Sequence, residues 1–179
     1  MKIFIDGSAG TTGLRIKDRL MKRSDVELTT LSEEQRKDTE SRKQALNSAQ
    51  VAFLCLPDAA AVEAVELVEN PDTVIIDTST AHRTSEGWAY GFPELSAEFE
   101  DKIKNSKRIA VPGCHAGGFI ALVYPLVEAG VLGNDALLNC YSLTGYSGGG
   151  KKMIAEYESE NKSPLLFAPR QYGLTQQHK

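Results

Sequence analysis

Cysteine is scarce in this chain. Its 179 residues hold three, Cys55, Cys114 and Cys140, odd in number, widely separated and without a CxxC spacing. That argues against a disulfide framework and against a zinc site; no metal is expected, and the compartment reads as reducing and cytoplasmic. Long apolar runs are missing too. The longest, residues 119–127, is too short to span a bilayer and contains Pro125, so no membrane association is expected. No signal-peptide apolar core precedes the first predicted strand. Positive charge is not in excess: 20 Lys and Arg against 24 Asp and Glu leave a net charge of −4, with no basic block, which points away from nucleic acid. Internal repeats and low-complexity tracts are absent. What remains is an ordinary globular composition, long enough for one domain or for one domain and part of a second.

Residues 2–6 read as a short buried strand, followed by Gly7-Ser8-Ala9-Gly10-Thr11-Thr12-Gly13 and a helix carrying Leu14, Ile16 and Leu20. Strand, glycine-rich turn and helix form the setting in which a dinucleotide pyrophosphate rests on a helix N-terminus. In that reading Gly7 permits the tight turn, Gly10 lets the backbone approach a phosphate and Gly13 allows close helix–strand packing; Ser8, Thr11 and Thr12 complete the contact set. The spacing is GxxGxxG rather than GxGxxG, and a plain βα turn is the alternative. A second strand, residues 26–31, ends in Ser32-Glu33-Glu34-Gln35-Arg36-Lys37. Glu33 and Glu34 fall where an acidic residue bonds the NAD ribose, but Ser32, Arg36 and Lys37 suit the 2′-phosphate of NADP. The balance between the two cofactors favours NADP, held through Ser32 and Arg36; a solvated charged loop is the alternative for each of these residues.

Residues 51–56 are continuously apolar, as in a parallel strand covered on both faces. A helix follows, with Asp58 as its N-cap and Val62, Val65 and Val68 on one face. Cys55 is expected in the core. Residues 73–76 form a fourth strand that ends at Asp77-Thr78-Ser79-Thr80-Ala81-His82-Arg83. Strands alternating with helices at this spacing predict an α/β fold with a doubly wound, Rossmann-type parallel sheet. Ligands collect at the C-terminal edge of such sheets, which makes Pro57, Ser79 and Arg83 candidate liners of the nicotinamide crevice, with His82 read as solvated loop. Residues 88–95 are expected as an aromatic loop and 96–105 as a charged surface helix.

A β-rich run over 108–111 then ends at Pro112-Gly113, Cys114 follows at once, and a helical apolar pattern begins (Phe119, Leu122, Val123, Leu126, Val127). A thiol in the first helical turn lies among unpaired backbone N–H groups and the positive end of the macrodipole, which favours the nucleophilic thiolate. A buried small hydrophobe is the alternative. Residues 136–146 alternate with a period of two and are expected as a longer strand of a second, mixed sheet, Cys140 being a strand residue without chemistry. Ser147-Gly148-Gly149-Gly150-Lys151-Lys152 opens another helix. Ser147, Gly148 and Lys151 could hold a phosphate there, or form only a flexible turn. The expected division is a dinucleotide-binding domain over 1–113 and the start of a smaller α+β catalytic domain over 114–179; residues 164–179 show no helical periodicity.

Assembled, these pieces resemble the N-acetyl-γ-glutamyl-phosphate reductase family, in the shorter of its two sequence types, over essentially the whole chain. The resemblance is carried by the glycine turn, by residues 77–83, by Tyr90-Gly91-Phe92-Pro93-Glu94-Leu95, by Val111-Pro112-Gly113-Cys114-His115-Ala116 and by Ser147-Gly148-Gly149-Gly150-Lys151. The glycine turn is shared with aspartate-semialdehyde dehydrogenase; the Tyr-Gly-Phe-Pro-Glu-Leu and Pro-Gly-Cys-His-Ala pieces are the specific ones. Two departures stand out. Gly117 replaces the family's hydroxyl residue after Cys-His-Ala. His178 aligns with the first histidine of a His-x-His-x-Pro-Glu motif whose remainder, with the expected acid/base histidine, is not in the sequence. The resemblance implies NADPH-dependent, reversible reductive dephosphorylation of a small acyl phosphate in arginine biosynthesis, through a thioester on Cys114. It further implies Arg83 or Arg170 on the substrate carboxylate, homo-oligomers of the full-length protein, and an incomplete copy with little turnover alone. A non-catalytic nucleotide-binding fragment and an aspartate-semialdehyde dehydrogenase-like enzyme are the alternatives.

Overall fold

The computed structural model describes residues 1–168. Six strands, β1 (Lys2–Asp6), β2 (Glu27–Thr29), β3 (Val51–Leu54), β4 (Val74–Asp77), β5 (Ala89–Tyr90) and β6 (Arg108–Ala110), form one sheet in the order β2-β1-β3-β4-β6-β5. Every pairing is parallel. The helices are α1 (Thr11–Leu20), α2 (Thr39–Ser48), α3 (Asp58–Glu66), α4 (Ala97–Asn105), α5 (Cys114–Glu128) and α6 (Gly150–Glu158). The register aligns Phe4 with Ala52 and Ala52 with Ile75, so these side chains share one sheet face. That face meets Ala45 and Leu46 of α2, Ala49 just beyond it and Ala64 of α3, which with Leu54 make the main core cluster. Alanines on the helices let them approach the larger strand residues closely.

The expected parallel α/β sheet is present, with local differences that have physical reasons. Helix α2 was not foreseen: its sequence is polar and only Ala45 and Leu46 are buried. It is held by its ends, since the Asp38 carboxylate accepts the Ser41 N–H at 2.8 Å as an N-cap. At its other end Asn47 donates to the Lys43 and Leu67 carbonyls, both at 2.8 Å, and accepts the Glu69 and Asn70 N–H groups, both at 2.7 Å. In α3 the N-cap is Pro57 rather than Asp58. The Asp58 carboxylate instead accepts the Thr80 N–H at 2.9 Å and hydroxyl at 2.5 Å, tying the start of α3 to the loop after β4. The fully buried residues of α3 are Ala61 and Ala64, while Val62 is 42% exposed; Val65 and Val68 pack partly buried against the core. Ala89 and Tyr90, expected as loop, add an edge strand alongside β6; two residues are too few to show an alternation.

The strand expected over 136–146 does not form. A strand must satisfy its N–H and C=O groups with a partner, and no partner strand stands beside this segment among the described residues; Leu137 is fully exposed there. The apolar face of α5 is likewise open, Leu122 being 75% exposed. Residues 146–158 do form the expected turn and helix, with Tyr146 stacked on Tyr157 at 4.7 Å between centroids.

Replacing Asn47 with Ala removes four hydrogen bonds, three of which tie α2 to the chain after α3. At about 1 kcal/mol net for each bond that water does not replace, the expected loss is roughly 2–4 kcal/mol. It is measured as a lower urea midpoint with an unchanged slope.

Candidate active site

The C-terminal edge of the sheet gathers the loops after β1, β3, β4 and β6. After β1 the chain turns sharply. Gly7 has φ of +82°, and a Cβ on it would stand 2.2 Å from the Cys55 carbonyl oxygen, so only glycine is accommodated. A Cβ on Gly13 would lie 2.4 Å from the Gly7 oxygen, which is the close helix–strand approach expected of this position. The Gly10 N–H closes the turn on the Gly7 carbonyl at 2.9 Å. Gly10 then caps α1 without a side-chain bond, and the first turn of the helix carries no acidic residue. The cradle fits a diphosphate: its surface is backbone, its Cβ positions are empty and its helix end is uncompensated. Ser8, Thr11 and Thr12 stand in the same turn. Asp6, immediately before it, is buried, and its Oδ2 accepts from Arg42 Nε at 3.0 Å and Nη2 at 2.8 Å. Sequence reading missed Arg42 because α2 itself was unread. Its charge neutralises a carboxylate that would otherwise face the phosphate turn.

Beyond β2, Ser32 Oγ accepts the Gln35 N–H, Gln35 Oε1 accepts the Ser32 N–H, and Arg36 Nε donates to the Ser32 carbonyl at 3.4 Å. Ser32 and Arg36 thus share one small turn on the β1 side of the sheet. Pro57 and Ser79 follow β3 and β4, linked through the Asp58–Thr80 bonds. Asp77, at the end of β4, has no solvent exposure. Its carboxylate accepts the Ser79 N–H at 2.9 Å and the Ser79 hydroxyl at 2.6 Å, and lies 2.7 Å from His82 Nδ1. His82 also stacks on Trp88 with centroids 4.1 Å apart. The expectation that His82 is solvated loop is therefore overturned: a buried carboxylate has to be met by donors, and the imidazole is one of them. Arg83 donates from Nε to the Val111 carbonyl at 2.8 Å and from Nη2 to the Thr78 carbonyl at 3.1 Å, spanning the ends of β4 and β6.

Cys114 is the first residue of α5, behind an N-cap at Gly113 that has no side-chain bond, and it is exposed. The thiol is not a core hydrophobe. His115 lies beside Ser142, Nδ1 to Oγ 2.5 Å, and both line a cavity of about 830 Å³ that also touches Arg83, Tyr90 and Cys140. Cys140, expected within a strand, is exposed on this cavity wall. Cys55 is partly buried, and burial pushes its thiol up to about 11. Ser147, Gly148 and Lys151 are exposed on the turn and first turn of α6, while Arg170 lies outside the described residues. Among the described residues no group of three potential ligands could hold a metal ion, and no helix is long and apolar enough to cross a membrane.

Residues 2–105 match the family described as semialdehyde dehydrogenase, NAD binding domain. The chain belongs to this family. Among curated relatives, a protein of Chelativorans sp. named N-acetyl-gamma-glutamyl-phosphate reductase is 52% identical over 99% of the chain and 57% of its own length. One of Pseudomonas putida, named N-acetyl-gamma-glutamyl-phosphate reductase 2, is 49% identical over 99% of the chain and 56% of its own length. The chain therefore spans a little over half the length of these relatives. In fold it is similar to an aspartate semialdehyde dehydrogenase structure from Francisella tularensis, with a TM-score of 0.63 at 16% identity, covering 93% of this chain and 53% of that one.

The three thiols are expected to separate in an alkylation time course followed by mass spectrometry. Cys114 labels fastest at neutral pH. At pH 8 about a thousandth of Cys55 is thiolate, and its labelling rate climbs nearly tenfold per pH unit up to about 11. Equal, slow labelling of all three would contradict the site.

Proposed function

We propose that this chain is the dinucleotide-binding and cysteine-bearing part of an NADP-dependent N-acetyl-γ-glutamyl-phosphate reductase, acting in the cytoplasm. The observation that carries the reading is an exposed thiol in the first turn of α5, on the sheet edge that also bears the glycine turn. The printed names of relatives about half identical over nearly all of the chain supply the substrate.

In this reading the backbone of Gly7, Gly10 and Gly13, with Ser8, Thr11 and Thr12, holds the diphosphate, and Ser32 and Arg36 take the 2′-phosphate. Pro57 and Ser79 flank the nicotinamide crevice. The Ser79 hydroxyl is committed to Asp77, so Ser79 contributes position there rather than a free proton. NADPH, when bound, supplies the hydride. Cys114 Sγ, as thiolate, attacks the acyl carbonyl; a C–S bond forms, the carbon–oxygen bond to phosphate breaks, and phosphate leaves. The N–H groups at the start of α5 face the oxyanion that develops. The thioester carbon on Cys114 is where that hydride would be received, and cleavage of the C–S bond would then return Cys114 as thiolate and leave the semialdehyde. Arg83, anchored on two carbonyls, is a fixed cation for the substrate's anionic groups, with Lys151 and Arg170 as further candidates. Residues 114–179 then open the second, catalytic unit after a dinucleotide unit over 1–113, and the full-length protein assembles as a homo-oligomer.

Exposed to N-acetyl-γ-glutamyl phosphate without NADPH, the chain is expected to release one equivalent of phosphate and gain the mass of an N-acetylglutamyl group on Cys114. Cys114→Ser does neither, and aspartyl phosphate reacts far more slowly. NADPH is expected to quench Trp88 fluorescence independently of Cys114. An unmodified Cys114 overturns the reductase reading.

A further inference from the structure

Asp6 is an unexpected residue for its place. It ends β1, directly before the glycine turn, and only 3% of it is exposed. Side chains alternate along a strand, so Asp6 shares the face of Phe4, which is the face that α2 covers. A carboxylate held there needs an opposite charge. Arg42 of α2 supplies it, from 36 residues later in the chain, with Nε and Nη2 both donating to Oδ2 at 3.0 and 2.8 Å. The Arg42 side chain is itself 14% exposed, so the ion pair is largely shut off from water. Apolar residues of similar volume often serve stability as well as a buried ion pair does. The pair therefore calls for a reason beyond packing.

Its position supplies one. Gly7 is the next residue, and its carbonyl closes the turn on the Gly10 N–H at 2.9 Å. The Cys55 carbonyl walls Gly7 from the other side, while the Cys55 N–H donates to the Asp6 carbonyl at 2.8 Å. Burial is the main cause that raises the Cys55 thiol, and the Asp6 charge adds to it. The field of Asp6 thus reaches the residue that walls the phosphate turn. Charges shut off from water are weakly screened, so like charges there repel over several ångströms. A diphosphate entering the turn meets that repulsion unless Arg42 cancels it.

We propose that Arg42 is a positioning residue for the dinucleotide: through its ion pair with Asp6 it cancels the one negative charge at the base of the glycine turn, and so sets the affinity of that turn for a diphosphate. It acts through Asp6 rather than by contact with the cofactor. This rests on residues 7–13 holding the NADPH diphosphate, as proposed above. The same contact also pins α2 to β1, and the two roles predict opposite results when both charges are removed.

The test titrates the 179-residue chain with NADPH by calorimetry. Arg42→Met keeps the apolar stem and removes the charge; it is expected to weaken NADPH about tenfold to a hundredfold, the effect of one uncompensated like charge at close range. Arg42→Lys, which keeps the charge, stays within about threefold of the native chain. Asp6→Asn leaves the guanidinium beside the turn and binds NADPH as tightly as the native chain or several-fold more tightly. Asp6→Asn combined with Arg42→Met returns the affinity to within about threefold of native. A purely structural role predicts no such recovery, because the doubly substituted chain still lacks the tie between α2 and β1. Should Arg42→Met fail to fold, the Asp6→Asn and doubly substituted chains decide the matter. Native affinity in Arg42→Met, weakened binding in Asp6→Asn, or no recovery in the doubly substituted chain each overturn the proposal. A native chain that binds no NADPH sinks the cofactor reading and this proposal with it. One that binds NADPH but is indifferent to these substitutions sinks the role of Arg42 alone.

Discussion

A carboxylate with no solvent exposure, that of Asp77, stands at the end of a central strand, and the site is arranged around its need for donors. Removing a charged carboxylate from water costs several kcal/mol unless close hydrogen bonds replace the solvent. Ser79 provides two of them and His82 lies within bonding distance of the same group. Meeting that demand wraps residues 78–83 tightly over the strand end and fixes Arg83 across to the Val111 carbonyl. The Asp77 main-chain carbonyl meanwhile accepts the Val111 N–H at 2.7 Å. One residue therefore links the loop after β4 to the segment that enters α5, and so to Cys114. The stacking of Trp88 on His82 extends the same organisation toward β5 and Tyr90.

A second constraint is proximity of backbone to backbone. The Gly7 carbonyl, the Gly13 Cα and the Cys55 carbonyl are packed too closely for any side chain at the two glycines. That closeness brings the start of α1 directly onto the strand edge and leaves its N–H groups available to a phosphate. Asp6, one residue earlier, is a liability in such a place. Arg42 offsets it through a bidentate contact from a helix 36 residues later in the chain.

The second half of the described chain follows another logic. Helix α5 carries apolar residues that the sheet does not cover, among them Leu122 and Leu126. Among the described residues the alternating segment 136–146 has no ladder to join. Its apolar residues are instead largely exposed, and the contact of Ser142 with His115 ties it to α5. Apolar periodicity marks a surface that is able to be buried; it does not supply the partner that buries it.

The sequence by itself determined the parallel α/β sheet, the glycine turn and the start of α5 at Cys114, because these obey local rules: steric limits at Gly7 and Gly13, strand–turn–helix periodicity, and the break at Pro112-Gly113. It also carried the family, through short motifs that are contiguous in the chain. Tertiary structure alone decided which polar groups meet. Arg42 on Asp6, His82 between Asp77 and Trp88, Asp58 on Thr80 and the unpartnered hydroxyl of Tyr90 depend on neighbours brought together by folding. Helix α2 belongs there as well, since it is held by its Asp38 cap and by Asn47 reaching across to the chain after α3 rather than by an apolar stripe. Hydrophobic periodicity is a property of one segment, whereas hydrogen-bond satisfaction belongs to the assembled whole.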